Sequence, residues 1–162
     1  MKGFTLVELI VVTGIILFLS ALVFPNFNLG EKNLALERSA AKLVQDLSRA
    51  REMAMSARKE EICQPAKLSG YGVYFNLSLS LVGPDRYQLR ALCTNSSSKV
   101  IEVINFEKGV KLQPFAGWKM VNFYPPDPTV EANMVEITLA LKTDLTKTKT
   151  ITVNKAGLIN IK

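Results

Sequence analysis

Histidine is absent from this chain, and with it go the commonest metal ligand, the usual general base and every Ser-His or Cys-His nucleophile pair. Most hydrolase mechanisms lose their central residue. Cysteine is scarce: Cys63 and Cys93 are too few for a zinc site without histidine and do not form a C-x-x-C pair. Asp85, Asp127 and Asp144 fall in loop-like stretches, but no dense Asp-x-Asp-x-Asp run of the calcium type surrounds them. Serines, lysines and carboxylates are scattered without dyad spacing, so neither catalysis nor a resident metal or cofactor is expected. Repeats and low-complexity segments are missing too, and residues 4–24 carry a single charge, Glu8.

What remains is a folded chain. Its 162 residues suit one domain with a core plus one extra element. A composition 48% hydrophobic and 21% charged excludes a disordered protein. The net charge of +6 invites anionic partners, although such an excess is commonly just solvated.

The run FTLVELIVVTGIILFLSALVF, residues 4–24, would reach roughly 32 Å as a helix, which matches the hydrocarbon core of a bilayer. An ordinary secretory signal has a longer basic region, a shorter apolar core and a small-residue cleavage site after that core. None of these is present here. Lys2, the only basic residue before the run, points to an amino terminus in the cytoplasm and a following domain outside it. Glu8 is then the anomaly, because a carboxylate in the bilayer costs on the order of 2 to 3 kcal/mol on insertion scales. It calls for a cation, and a freed amino terminus nearby would supply one.

Lys2, Gly3, Phe4, Thr5, Leu6, Val7, Glu8, Leu9 and Ile10 resemble the signature of type IV prepilins and type II secretion pseudopilins. The resemblance implies that a membrane prepilin peptidase cuts between Gly3 and Phe4 and methylates the new amino group on Phe4. It also implies that the Phe4 ammonium of an incoming subunit meets the Glu8 carboxylate of a neighbour in the filament core. Glycine at the cut offers no side chain to obstruct a protease, and the cut creates an ammonium close in sequence to Glu8. Gly14 and Pro25 match positions where relatives carry helix-weakening residues; proline removes a backbone hydrogen bond and glycine loosens the helix.

After a short polar break at residues 26–32, the stretch LALERSAAKLVQDLSRAREMAMSARKEE reads as a helix. Leu36, Ala40, Leu43, Leu47, Ala50, Ala54 and Ala57 alternate spacings of four and three, forming one stripe that suits packing onto a sheet. From Tyr71 onward the period changes to that of strands, in YGVYFN, RYQLRAL, KVIEVI, KMVNFY, VEITLAL, KTITVN and GLINIK. Val135, Ile137, Leu139 and Leu141 alternate with Glu136, Thr138 and Lys142. Gly83-Pro84-Asp85, Pro125-Pro126-Asp127-Pro128 and Lys155-Ala156-Gly157 punctuate these runs as turns.

The expected class is therefore α+β: a long amino-terminal helix, half transmembrane and half amphipathic, on a carboxy-terminal antiparallel sheet head. The division is a leader at 1–3, a transmembrane and filament-core helix at 4–25, and an extracytoplasmic pilin-like head at 26–162. The head is most similar to minor pseudopilin H and the fimbrial T proteins, through RAREMAMSARKEE, Ile62-Cys63, SGYGVYF and ITVNKAGLINI. Cys63 and Cys93 close a loop of about 30 residues. They are either a disulfide, favoured in an oxidising space, or two buried thiols.

Lys142, Lys147, Lys149, Lys155 and Lys162 form the candidate phosphate-binding set for nucleic acid. DNA-capturing relatives place Gly-Arg-x-Arg at this hairpin, whereas this chain has Gly157-Leu158-Ile159-Asn160, so a solvated lysine face is the favoured reading. Phe115, Trp118, Phe123 and Tyr124 surround the PPDP turn, and packing of a loop onto the sheet is favoured over a sticky patch.

The function expected is that of a structural subunit of a type IV pilus or type II secretion pseudopilus. A DNA-receptor minor pilin and a simple membrane-anchored head are the alternatives. The implied partners are other pilin or pseudopilin subunits, the peptidase and N-methyltransferase, the inner-membrane assembly platform, and membrane lipid before assembly.

Overall fold

A computed structural model describes residues 5–56, 61–75, 85–113, 119–126, 130 and 134–162 of the chain. The fold is α+β, with two helices and two antiparallel sheets. Helix α1 spans Leu6–Met55, and a short 3-10 helix, Glu61–Cys63, follows. Strands β1 (Leu68–Phe75), β2 (Arg86–Cys93), β3 (Ser98–Asn105) and β5 (Lys119–Phe123) build one sheet in the order β3-β2-β1-β5. Strands β4 (Val110–Leu112), β6 (Met134–Leu141), β7 (Thr148–Asn154) and β8 (Ile159–Ile161) build the other in the order β4-β6-β7-β8. The chain divides into two compact units, Met1–Leu34 and Ala35–Lys162.

The polar break expected at residues 26–32 is corrected: α1 continues through it. Proline and glycine inside a helix cost about 3 and 1 kcal/mol, but ending one helix and nucleating another sacrifices several hydrogen bonds at each new terminus. Asn, Glu and Lys are tolerated within a helix, so polarity there does not by itself end one. Pro25 and Gly30 therefore lie inside α1, and Pro25 has no N–H to offer the carbonyl of Ala21.

In the unit Ala35–Lys162 the helical stripe is the centre of the core. Leu36, Ala40, Leu43, Leu47, Ala50 and Ala54 are all buried, and Ala57 lies outside the described residues. They join a cluster with Tyr71, Val73 and Phe75 of β1, Tyr87 and Leu89 of β2, Val121 and Phe123 of β5, and Ile137, Leu139 and Ile151 of the second sheet. Phe123 is thus core rather than part of a surface patch, Tyr124 is half-buried, and Phe115 and Trp118 lie outside the described residues. Leu47 is fully enclosed, so Leu47→Ala should cost about 2 to 5 kcal/mol, whereas Leu158→Ala at an exposed turn should change stability by less than about 0.5 kcal/mol. Urea unfolding of the two variants checks this contrast.

Strand β6 follows the expected alternation, with Val135, Ile137, Leu139 and Leu141 buried and Glu136 exposed. Gly70 and Gly72 let β1 approach β5 closely. A Cβ on Gly72 would collide with Asn122 Oδ1 and stand 2.9 Å from the Val121 carbonyl, and one on Gly70 would meet the Phe123 carbonyl. Cys63 and Cys93 form a disulfide with Cα atoms 5.6 Å apart, tying the 3-10 helix to the end of β2. For a loop of this length the chain-entropy contribution is roughly 3 to 4 kcal/mol.

Candidate functional site

Helix α1 begins with a cap. Thr5 Oγ1 accepts a hydrogen bond from the Glu8 N–H at 3.3 Å, and the Thr5 carbonyl accepts from the Leu9 N–H at 3.2 Å. Thr5-x-x-Glu8 is a capping-box pattern, with Thr5 at the N-cap and Glu8 at the third helical position. An acidic residue there is also favoured by the positive end of the helix dipole. Glu8 is exposed and makes no ion pair among the described residues. Gly3 and Phe4, the expected processing site and assembly amine, lie outside the described residues.

Behind the cap the helix is apolar on every face. Eleven large hydrophobic side chains between Leu6 and Leu19 are exposed, and even Val12 keeps 49% of its surface open. The two hydroxyls within this stretch turn back onto their own helix. Thr13 Oγ1 donates to the carbonyls of Leu9 and Ile10 at 2.9 and 3.0 Å, and Ser20 Oγ donates to that of Ile16 at 2.7 Å. Such back-bonding hides polar hydrogens from an apolar surrounding. A Cβ on Gly14 would meet nothing within 4 Å among the described residues, so none of their contacts requires glycine there.

Among the described residues, no helix is long and apolar enough to cross a membrane. The apolar stretch with described side chains covers residues 6–21, roughly 24 Å of helix, short of the ~30 Å hydrocarbon core. The rest of the expected span, residue 4 and the side chains of 22–24, lies outside the description, as does the side chain of Pro25.

The lysines of the carboxy-terminal strands are not gathered into one row. Lys142 Nζ donates to Asp85 Oδ2 at 2.6 Å, and Lys149 Nζ stands 3.6 Å from Glu37 Oε1. The Lys147 carbonyl accepts from Leu141 at one end of the β6-β7 pair, while Lys155 follows Asn154, opposite Met134, at the other end. Lys162 exchanges backbone hydrogen bonds with Thr150. Asp144 is a turn residue: Thr146 donates to it through its side chain and its N–H, which holds the carboxyl below the usual carboxylate range. Among the described residues no group of three carboxylates or cysteines is placed to hold a metal ion, and Asp127 lies outside them.

Sequence reasoning missed several polar arrangements, three of which stand out. The first is the Thr5 cap, legible in the Thr-x-x-Glu spacing. The second is a buried bond in which Tyr87 Oη donates to Asp46 Oδ2 at 2.5 Å. Its only signal was an acid between Leu43 and Leu47 on the buried side of α1. Burial, then the hydrogen bond to Asp46, pushes the Tyr87 hydroxyl far above its ordinary value of 10.0. The folded state therefore holds the protonated phenol, and that stabilisation is complete below pH 10 and is lost as the pH rises beyond it. The melting temperature should fall more steeply above about pH 10 in the parent than in Tyr87→Phe, which starts about 1 to 3 kcal/mol less stable because Asp46 loses its donor. The third is Arg90, stacked 4.1 Å from the Tyr74 ring centroid on the first sheet.

Comparison with protein-family models, curated proteins and solved structures finds no match for this chain.

Proposed function

We propose that this chain is a pilin-like subunit, cut between Gly3 and Phe4 by a prepilin peptidase and polymerised through its apolar helix into a type IV pilus or type II secretion pseudopilus. The observation that carries the reading is the helix surface from Leu6 to Leu19, apolar on all sides and exposed. Burying a large aliphatic side chain is worth about 1.5 to 3 kcal/mol, so eleven of them represent on the order of 10 kcal/mol or more. That exceeds the roughly 2 to 3 kcal/mol penalty of taking one carboxylate into lipid. The segment therefore resides in the bilayer despite Glu8, and Glu8 there requires a cation.

The amine freed on Phe4 is that cation. A neighbour's Phe4 ammonium against Glu8 sets the axial register of each subunit, and the helices replace lipid with one another as the filament grows. The unit Ala35–Lys162, with its own core and disulfide, faces the oxidising side of the inner membrane and meets the partners of the filament. The proposed route runs from a single-pass inner-membrane precursor, through the assembly platform, to a filament at the cell envelope. Intact-mass and amino-terminal peptide mass spectrometry on protein from cell membranes tests it. A mature chain beginning with methylated Phe4 is expected, and an intact Met1 would overturn the assignment.

A further inference from the structure

The first sheet turns Val73, Leu89 and Val121 into the core, so the alternate residues face away from it. These form two cross-strand rows: Val103, Gln88, Tyr74 and Met120 in one, and Val100, Arg90, Gly72 and Asn122 in the next. Arg90 is half-buried between them and fixed from several sides. Its guanidinium stacks on Tyr74, Nε and Nη2 donate to Gln88 Oε1 at 2.9 and 2.6 Å, and Nη1 donates to Ser98 Oγ at 3.0 Å. Three of the five N–H donors of a guanidinium are thus engaged with neutral acceptors, and two have no partner among the described residues. Among the described residues Arg90 faces no carboxylate.

Beside this cation stand two apolar side chains, Val100 and Val103, 44% and 47% exposed on the edge strand β3. The register shift opposite Leu89 and Arg90 interrupts β3, which disfavours addition of another strand along that edge and leaves the end of the sheet face at Val100 and Val103 as the surface on offer, since Gly72 and Asn122 further along the row are buried. An ordered arginine with no carboxylate partner among the described residues, flanked by exposed aliphatics and a tyrosine, has the composition of an interface centre.

We infer that this face docks a different, acidic protein chain, whose Asp or Glu carboxylate is received by the two remaining N–H groups of Arg90 while Val100 and Val103 are covered. A second copy is the poorer occupant. Two-fold packing through this face would set two rows that hold no carboxylate against each other and bring together two chains that each carry +6. The docking face is separate from the Phe4 and Glu8 chemistry and stands whether or not the leader is cut.

The test is photo-cross-linking with benzoylphenylalanine in place of Val103 in the full chain, expressed in the cells that naturally make it, with the adduct mapped by peptide mass spectrometry. A different chain joined beside an Asp or Glu is expected. Arg90→Glu should lower the yield at least tenfold, and a lysine in place of the partner's carboxylate should restore it. Val100→Asp, directly opposite Arg90 and exposed, supplies a carboxylate from within and should cause the same loss without touching the core. Closure of the Cys63–Cys93 disulfide reports folding of both variants, and Val100→Asp decides alone if Arg90→Glu misfolds. An absent adduct, an adduct to a second copy, or a yield unchanged by these substitutions overturns the inference.

Discussion

On the proposed pathway Gly3→Leu should accumulate as the full-length chain in the membrane, three residues heavier than the mature form and without a methyl group on its first residue. Where a protease subsite is packed around the glycine backbone, forcing a larger side chain into it costs about 1 to 3 kcal/mol or more. At 1.36 kcal/mol per factor of ten, cleavage slows by roughly fivefold to over a hundredfold. Insertion itself should be spared on this pathway, because the apolar helix from Leu6 onward is unchanged. Gly14→Ala serves as the control: a Cβ there meets nothing among the described residues, so processing should continue at the parental rate. The two forms separate by intact mass, and normal maturation of Gly3→Leu would dismiss Gly3 as the site.

Periodicity made most of the head legible. Seven strands coincide with the alternating runs, and the stripe from Leu36 to Ala54 is buried as its spacing required. Strand β4 escaped because Val110–Leu112 is short and all three of its residues are buried, so it shows no alternation and, unlike the equally short β8, has no hairpin turn before it. The helix boundary was misread for the opposite reason. Pro25, Asn26, Asn28 and Gly30 are individually poor helix residues, yet α1 continues across them, because flanking segments with strong propensity on both sides outweigh a local deficit. Pairings over long sequence separations, Asp46 with Tyr87, Arg49 with Glu102 and Arg90 with Tyr74, leave almost no local trace. They depend on which strand lies beside which, and that order is a property of the folded chain.

Glu8 has two readings, and one pair of substitutions separates them. As a capping residue at the third helical position it can be replaced by glutamine, which capping boxes accept, with a loss of about 0.3 to 1 kcal/mol from the helix dipole. As the counter-ion of a neighbour's Phe4 ammonium it cannot, because a buried charge left without its partner costs about 3 to 5 kcal/mol. Glu8→Gln should therefore insert and mature like the parent while its incorporation into filaments falls by on the order of a hundredfold or more. Thr5→Val removes the hydroxyl that accepts from the Glu8 N–H and keeps the carboxylate; its cost is that of a lost cap, about 1 kcal/mol, and its effect on assembly should be correspondingly mild. Immunoblots of sheared-filament and membrane fractions measure both. Equal assembly of Glu8→Gln and the parent would reduce Glu8 to the cap of its own helix, whereas a deep loss in Glu8→Gln beside a shallow one in Thr5→Val assigns the carboxylate to contact between subunits.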